Sequence, residues 1–358
     1  MGQAEPFAVL GPEGEVLDRR TLEGLGLEAG QLRDLYRFLV LARRADAEAV
    51  ALQRQGYLAV YGPARGQEAA AVGSAYALRP DDFVFPTYRE IGAVIVRGVD
   101  VAQFLMYFKG AWHGGEHDVL KHRFGLVTVP VATHIPHAVG YAVGCRLEGR
   151  DCCTLAYFGD GATSKGDFHE GLNFAGVFRA PVIFFCQNNR WAISVPLHQQ
   201  TAGPIWRRAE GYGFPGVLVD GNDVLAVYAV TREAAARARH EHTPTLIEAL
   251  TYRMGAHTTA DDDTRYRPAE ELEEWARRDP IERFRRFLER EELADPEFFE
   301  AAAAEAETFV AGVREAVIGA GPKDVTALFD LVFENPTPEL LAQRREALAL
   351  AEEPVPDA

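Results

Sequence analysis

No apolar run in this chain approaches the roughly 20 residues that a membrane-spanning helix needs, so a helical membrane protein is excluded. The opening residues, MGQAEPFAVL, carry no basic segment leading into an apolar one, and no secretory signal is expected. Positive charge is short: 37 Lys and Arg stand against 53 Asp and Glu, a formal net charge of −16, with no Lys/Arg run. Such a surface repels a phosphate backbone, which argues against nucleic acid as a partner. Cysteine is rarer still. Cys145, Cys152, Cys153 and Cys186 sit in or beside apolar segments without metal-site spacing. They read as reduced core thiols of a cytoplasmic protein. There is no internal repeat and no long low-complexity linker.

What is present is a chain of 358 residues, 47% apolar, with material for a substantial core. The length suits two domains or one large α/β domain. Residues 1–30 read as an extended arm with turns at Gly11-Pro12 and Gly14. From Ala29 to Gln55 the stripe Leu32, Leu35, Leu39, Ala42 and Ala49 predicts a long helix that Gly56 stops. Gly66 to Leu78, rich in Ala and Gly, suits a helix packed close against a neighbour, with Gly73 and Ser74 as packing residues. VLVD (217–220), a helix from about Val224 to His240 and TLIEALTYR (245–253) form a strand–helix–strand crossover. Beyond Glu270 the chain is charged and helical. The predicted organisation is an arm (1–30), an α/β domain (31–270) with a mostly parallel sheet flanked by helices, and a helical C-terminal region (271–358).

A second crossover carries chemistry. LAYF (155–158) ends in Gly159-Asp160-Gly161, and PVIFFC (181–186) ends in Gln187-Asn188-Asn189. Between them Phe168, Leu172, Phe174, Ala175 and Phe178 recur at helical spacing. A strand, helix and strand of this length lay two parallel strands in one sheet. Their carboxyl ends share the edge where open α/β sheets bind ligands, so Asp160 and Asn189 converge. An acid and an amide offer two hard oxygen ligands, suited to Mg²⁺ or Ca²⁺. Mg²⁺ completes its shell with water and phosphate oxygens. Gly159 and Gly161 allow a tight turn, and a helix opening at about Ala162 directs N–H groups at an anion. Each motif alone reads as an ordinary loop turn. Together on one crossover, with 26 residues between Gly161 and Asn188, they point to a diphosphate held through Mg²⁺.

That spacing resembles the thiamine-diphosphate signature. FPTYREIGAVIVRG (85–98), VATHIPHAVG (131–140), VDGNDVLAVYAVTREA (219–234) and PTLIEALTYRMGAHTTADDDTRYR (244–267) narrow the likeness. In that order they resemble the alpha subunit of the decarboxylating component of 2-oxo acid dehydrogenase complexes, of the branched-chain and pyruvate type. The likeness runs from about residue 31 to about residue 290. It implies a thiamine-diphosphate-binding fold, with Mg²⁺ ligated by Asp160, Asn189 and the main-chain carbonyl of Trp191. It adds Tyr88, Arg89, Val131, Gly159, Gly161, Ala162 and His257 to the cofactor's surroundings. On the residues alone Arg89 serves equally as a surface salt bridge; the resemblance makes its guanidinium a fork onto two phosphate oxygens. His257, in a polar loop where a lone His is usually solvated, is turned by the resemblance toward the reaction centre, as a catalytic group of near-neutral pKa. Asp261–Asp263 with Arg265 and Arg267 read as internal ion pairs that order that loop. His113 and His134 read equally as partly buried histidines bonded to backbone. The resemblance puts both near the substrate channel, with His113 a second catalytic candidate.

Departures from the animal branched-chain pattern qualify the likeness. Gln187 stands for a phosphate-contacting Arg, and Asp160 for a Glu of longer reach. Val60 stands for a pocket Phe, and Val129 for a Ser, which puts a monovalent-cation site in doubt. Thr258 stands where some eukaryotic relatives carry a phosphorylated Ser, so that regulation is not carried over. The implied activity is decarboxylation of a 2-oxo acid and reductive acylation of a lipoyl group on a partner acyltransferase. No second domain holds the carboxylic acid that the cofactor's aminopyrimidine needs, so a beta subunit in an α₂β₂ heterotetramer is expected. THIPHAVG and WHGG favour branched-chain acids over pyruvate. An acetoin-cleaving relative and a non-catalytic scaffold of the same fold are the competing readings.

Overall fold

The computed structural model describes residues 5–110, 117–321, 324–330 and 332–352. The Leu stripe forms α1 (Ala29–Arg54), opened by a reciprocal capping box between Glu28 and Gln31. Leu32, Leu35, Leu39, Ala42, Ala45, Ala49 and Leu52 make its buried face. The next helix, α2 (Glu68–Tyr76), is buried over most of its length. A Cβ on Gly73 would meet the Val224 carbonyl oxygen at 2.7 Å, so glycine sets the close approach that the Ala/Gly content anticipates. Ser74 donates to the Ala70 carbonyl and meets the Tyr157 hydroxyl at 2.6 Å, a packing role.

Next come β1 (Phe83–Phe85), α3 (His134–Leu147), β2 (Thr154–Gly159), α4 (Gly166–Phe178) and β3 (Val182–Asn188). Then β4 (Gly216–Asp220), α5 (Val224–Glu241) and β5 (Thr245–Leu250) complete a parallel sheet of order β1-β2-β3-β5-β4. Both crossovers read from the sequence are there. Parallel strands covered on both faces read as unbroken apolar runs, which is why LAYF and VIFFC stand out. Alternation divides them: Leu155, Tyr157, Ile183 and Phe185 face α1, α2 and α5. Ala156, Phe158, Phe184 and Cys186 face α3 and α4. In register, Gly159 lies opposite Gln187 and Asn188 opposite Leu250, so three strand ends meet at one edge.

The helix after Gly161 starts later than expected. Residues Asp160–Ser164 wind as a 3₁₀ turn, Lys165 is extended, and α4 begins only at Gly166. Its buried face is narrower too. Phe168, Leu172 and Ala175 are buried, whereas Phe174 and Phe178 stack on each other, 49% and 48% exposed, outside the cover that α3 provides. All four cysteines are free and buried, as read.

Residues 5–30 are more ordered than an extended arm. Phe7 bonds both Leu218 and Asp220 backbones, adding a one-residue bridge beside β4. The Val9 and Leu10 N–H groups both donate to Asp223, at 2.7 Å each. Arg19–Gly24 is a helix capped by Asp18, because the Asp side chain takes the Thr21 N–H and hydroxyl. Near the other end, α6 (Pro280–Arg290) and α7 (Pro296–Gly319) each start with proline after an aspartate cap. Phe284, Phe287, Val310, Val313 and Val317 join the core that α1 lines. Buried Arg283 pairs with Asp220 and donates to the Leu10 carbonyl. Among the described residues no helix is long and apolar enough to cross a membrane.

Candidate active site

The shared strand edge opens into a cavity of about 520 Å³. Asp160, one residue past β2, lines it while only 1% exposed. Its main-chain carbonyl accepts from Thr163 and Gln200. Its Oδ2 is buried with no hydrogen-bond partner among the described residues. Burial pushes this carboxyl up to about 6. Two residues of β3 and the one beyond it take separate duties. Gln187 donates to Glu90 at 2.8 Å, and Asn188 to Glu248 at 2.6 Å. Asn189 faces the cavity: its Oδ1 accepts the Trp191 N–H at 3.2 Å, and its Nδ2 donates to Gln67 at 3.1 Å. The Trp191 carbonyl accepts from Arg253 at 3.3 Å. A Cβ on Gly161 would lie 3.1 Å from that of Ala192, so the chains approach closely there. A Cβ on Gly159 would meet nothing within 4 Å. Neither glycine uses a left-handed conformation, so the expected tight turn is a 3₁₀ turn instead.

Arg89 and Arg253 supply the opposite charge. Arg89 is 7% exposed, which removes the surface salt bridge. It donates to the Pro63 and His257 carbonyls, at 2.6 Å each, and approaches His257 Nδ1 at 2.9 Å. Its guanidinium lies 5.2 Å from the Tyr88 ring centre. Arg253, fully buried, follows β5 and donates to the Ile193 carbonyl, the Tyr266 hydroxyl and His257 Nδ1. Neither guanidinium pairs with a carboxylate among the described residues. Burial, then the charge of Arg89, lowers Arg253 to about 10. Two buried guanidinium groups that bond carbonyls and a histidine rather than a carboxylate have charge to offer an anion.

His257 does not have the near-neutral pKa expected of it. Burial, then Arg89 and Arg253, lowers it to about 3. Both guanidinium groups can only donate, so Nδ1 is the acceptor and the proton of the neutral ring sits on Nε2. The loop that follows closes on itself as read. Asp261 accepts from the His257 N–H at 2.7 Å and from the Tyr266 hydroxyl, and Arg267 pairs with Asp263 and donates to the Arg253 carbonyl. Arg265 takes no part in that pairing.

Tyr88, Arg89, Val131, Gly159, Asp160, Gly161, Ala162, Asn189, Trp191 and His257 therefore line one cavity, as do Val60, Val129, Gln187 and Thr258. His134 does not. It is 3% exposed and bonds the Tyr157 carbonyl through Nε2, the backbone-bonded reading rather than the channel one. His113 lies outside the described residues. Sequence reasoning missed Gln67 and Arg253, which line the same cavity. A signal for the second existed: Thr251-Tyr252-Arg253 repeats Thr87-Tyr88-Arg89, each tripeptide just after a strand.

Residues 36–321 match the family described as Dehydrogenase E1 component. The 3-methyl-2-oxobutanoate dehydrogenase subunit alpha of Mycobacterium tuberculosis is 49% identical over 347 residues, 96% of this chain and 94% of that one. The pyruvate dehydrogenase E1 component subunit alpha of Bacillus cereus is 38% identical, over 96% of this chain and 92% of its own. The 2-oxoisovalerate dehydrogenase subunit alpha of Bacillus subtilis is 42% identical, over 77% and 87%. With the family matched across most of the chain, this protein belongs to the dehydrogenase E1 components, as an alpha subunit of a 2-oxo acid dehydrogenase.

Proposed function

We propose that this alpha subunit acts on branched-chain 2-oxo acids of the 3-methyl-2-oxobutanoate type, holding magnesium and thiamine diphosphate in the strand-edge cavity. One observation carries the reading: a buried carboxylate oxygen and two buried guanidinium groups line the same 520 Å³, the oxygen with no hydrogen-bond partner and the guanidinium groups with no carboxylate ion pair among the described residues. An orphaned acceptor beside two buried guanidinium groups fits a metal–diphosphate pair. Asp160 and Asn189 would hold the metal, with the Trp191 carbonyl using the lone pair that Arg253 leaves free. Among the described residues no three His, Cys, Asp or Glu side chains gather, which suits a hard ion that takes few protein ligands and fills its shell with water and phosphate. Arg89, Arg253 and Tyr88 would take the diphosphate. Gly159 leaves open the space that a side chain would fill.

Thiamine diphosphate, when bound, supplies the nucleophile for the 2-oxo carbon and the electron sink for loss of carbon dioxide. The chain's own groups hold charge and protons around it. His257 presents Nε2–H as a neutral donor, held in that tautomer by two guanidinium groups. Glu90 is engaged by Thr87 and Gln187, and Asp160 is reserved for the metal, so neither carboxylate serves the aminopyrimidine. That acid would come from a beta subunit across an α₂β₂ interface. The acyl product would pass to the lipoyl group of an acyltransferase. Val60, Phe108, Val129 and Val131 supply apolar lining for a branched alkyl chain. Each methylene is worth about 1–3 kcal/mol of discrimination there. Relatives named pyruvate dehydrogenase, at 38% and 42% identity, keep pyruvate as the second reading.

The test is reduction of an artificial electron acceptor by this chain co-purified with its beta subunit, with pyruvate and 3-methyl-2-oxobutanoate compared. Cofactor-dependent preference for the branched acid is expected. Preference for pyruvate keeps the chemistry and overturns the substrate. An assembled heterotetramer inactive on both acids sinks the reading in favour of an acetoin-cleaving or scaffold role.

A further inference from the structure

The orientation of the amides on the strand edge follows from one unambiguous donor. The Trp191 backbone N–H can only donate, and it meets Asn189 at 3.2 Å, so that atom is the carboxamide oxygen. The Asn189 NH₂ group then points the other way, toward Gln67, at 3.1 Å. The Gln67 atom receiving it is therefore an oxygen, and the remaining Gln67 atom is an NH₂ group. That group is buried, has no hydrogen-bond partner among the described residues, and belongs to a side chain lining the cavity. Gln67 is 1% exposed and sits at the N-cap of α2, but its side chain does not cap the helix. A buried donor left free in a native cavity marks a place reserved for an acceptor.

We propose that Gln67 is a further cofactor-binding residue, whose oxygen fixes the Asn189 amide with Oδ1 toward the metal and whose NH₂ donates to a diphosphate oxygen. The proposal rests on the magnesium–thiamine diphosphate reading above. The two ends of one carboxamide thus couple the metal ligand to the anion. The chemistry of the edge sorts accordingly: the orphaned acceptor, Asp160 Oδ2, serves the cation, and the orphaned donor, Gln67 Nε2, serves the phosphate.

Two substitutions in the alpha–beta heterotetramer test it, read by equilibrium titration with magnesium–thiamine diphosphate and by the magnesium concentration that gives half-maximal binding. Gln67→Met keeps length and bulk but removes both ends of the bridge. It is expected to weaken cofactor binding about tenfold or more, the scale of a hydrogen bond to a charged group, and to raise the magnesium requirement. Turnover at saturating cofactor should largely recover. Gln67→Glu keeps the acceptor for Asn189 and replaces the donor with a charge that repels the diphosphate, so it should bind more weakly still. Glu binding as tightly as the parent, or more tightly than Met, overturns the assignment of the donor. Parental affinity in the Met variant overturns the whole proposal, and this variant decides alone should the Glu variant fail to assemble. A parent heterotetramer that does not bind magnesium–thiamine diphosphate overturns the underlying reading instead, which keeps the two failures apart.

Discussion

Two walls of the cavity are built on opposite terms. On the strand-end wall, Asp160 and Gln187, with Gln67 beside them from the N-cap of α2, each keep one buried polar atom without a partner among the described residues. On the loop wall, Arg253, His257, Asp261, Tyr266 and Arg267 bond one another and nearby carbonyls. A buried unsatisfied group costs about 1–3 kcal/mol, so the first wall holds its atoms ready at the expense of the empty protein. The second wall closes on its own hydrogen bonds among the described residues, so what Arg253 offers a ligand is charge rather than an unfilled donor. A rigid sheet can carry such unfilled atoms because its register is fixed elsewhere, by the apolar faces of β2 and β3. A surface loop has no such reserve, and its polar groups must close on each other.

The contrast can be broken from either side. Removing the proposed metal ligand should have the largest effect. Asp160→Ala is expected to abolish turnover, by about a thousandfold or more, in line with loss of metal-assisted positioning and charge; measurable cofactor-dependent activity in an intact heterotetramer would contradict it. Arg89→Met removes a proposed diphosphate partner and one support of the His257 ring. It should raise the dissociation constant for thiamine diphosphate about a hundredfold, near the top of the range for a charged hydrogen bond. Asp261→Asn touches only the loop wall. Cofactor affinity should fall less than about tenfold, while protease cleavage within residues 255–267 accelerates; unchanged cleavage would mean that the loop is held by other contacts.

The smallest effect on cofactor binding belongs to a carboxylate behind both walls. Asp46 on α1 accepts from the Tyr61 hydroxyl and the Ala64 N–H, holding the strap whose Pro63 carbonyl takes Arg89. Burial raises its pKa from 3.8 to about 6. The folded state therefore keeps a proton that the unfolded chain has lost between those values. Stability from this group is greatest at low pH and falls as pH rises toward 6. Asp46→Asn keeps an accepting oxygen and removes the titration. It should match the parent near pH 4 and exceed it by about 3 kcal/mol at pH 7.5, the size of a shift from 3.8 to about 6, checked by urea unfolding at both values.

Much of the site was legible because it lies at the ends of two apolar runs. GDG and NN needed only the crossover rule to be brought together, and the register of Gly159 with Gln187 is what that rule demands. The charge state of His257 was not legible. It depends on Arg89, 168 residues away, and on the burial that only the fold creates. Nor was the late start of α4, since Asp160, Thr163 and Ser164 are all cap-forming residues and the N-cap in use is Lys165, which caps with no side-chain bond. His134 failed for a third reason. A histidine at a helix start looks the same in sequence whether its ring meets a channel or a core carbonyl. Gln67 hid as one polar residue heading an Ala-rich helix, and only its orphaned nitrogen gives it away.

The clamp formed by Val9, Leu10, Asp223 and Arg283 has a consequence for the order of folding. It joins residues 214 positions apart through Asp223 and 273 apart through Arg283. Loops of that length close late, after the local helices and the βαβ units have formed. Residues 7–10 therefore wait for a residue made 273 positions after Leu10 before they can lock beside β4. Until then that outer strand keeps an open flank, which in the finished protein Phe7 covers with a single bridge.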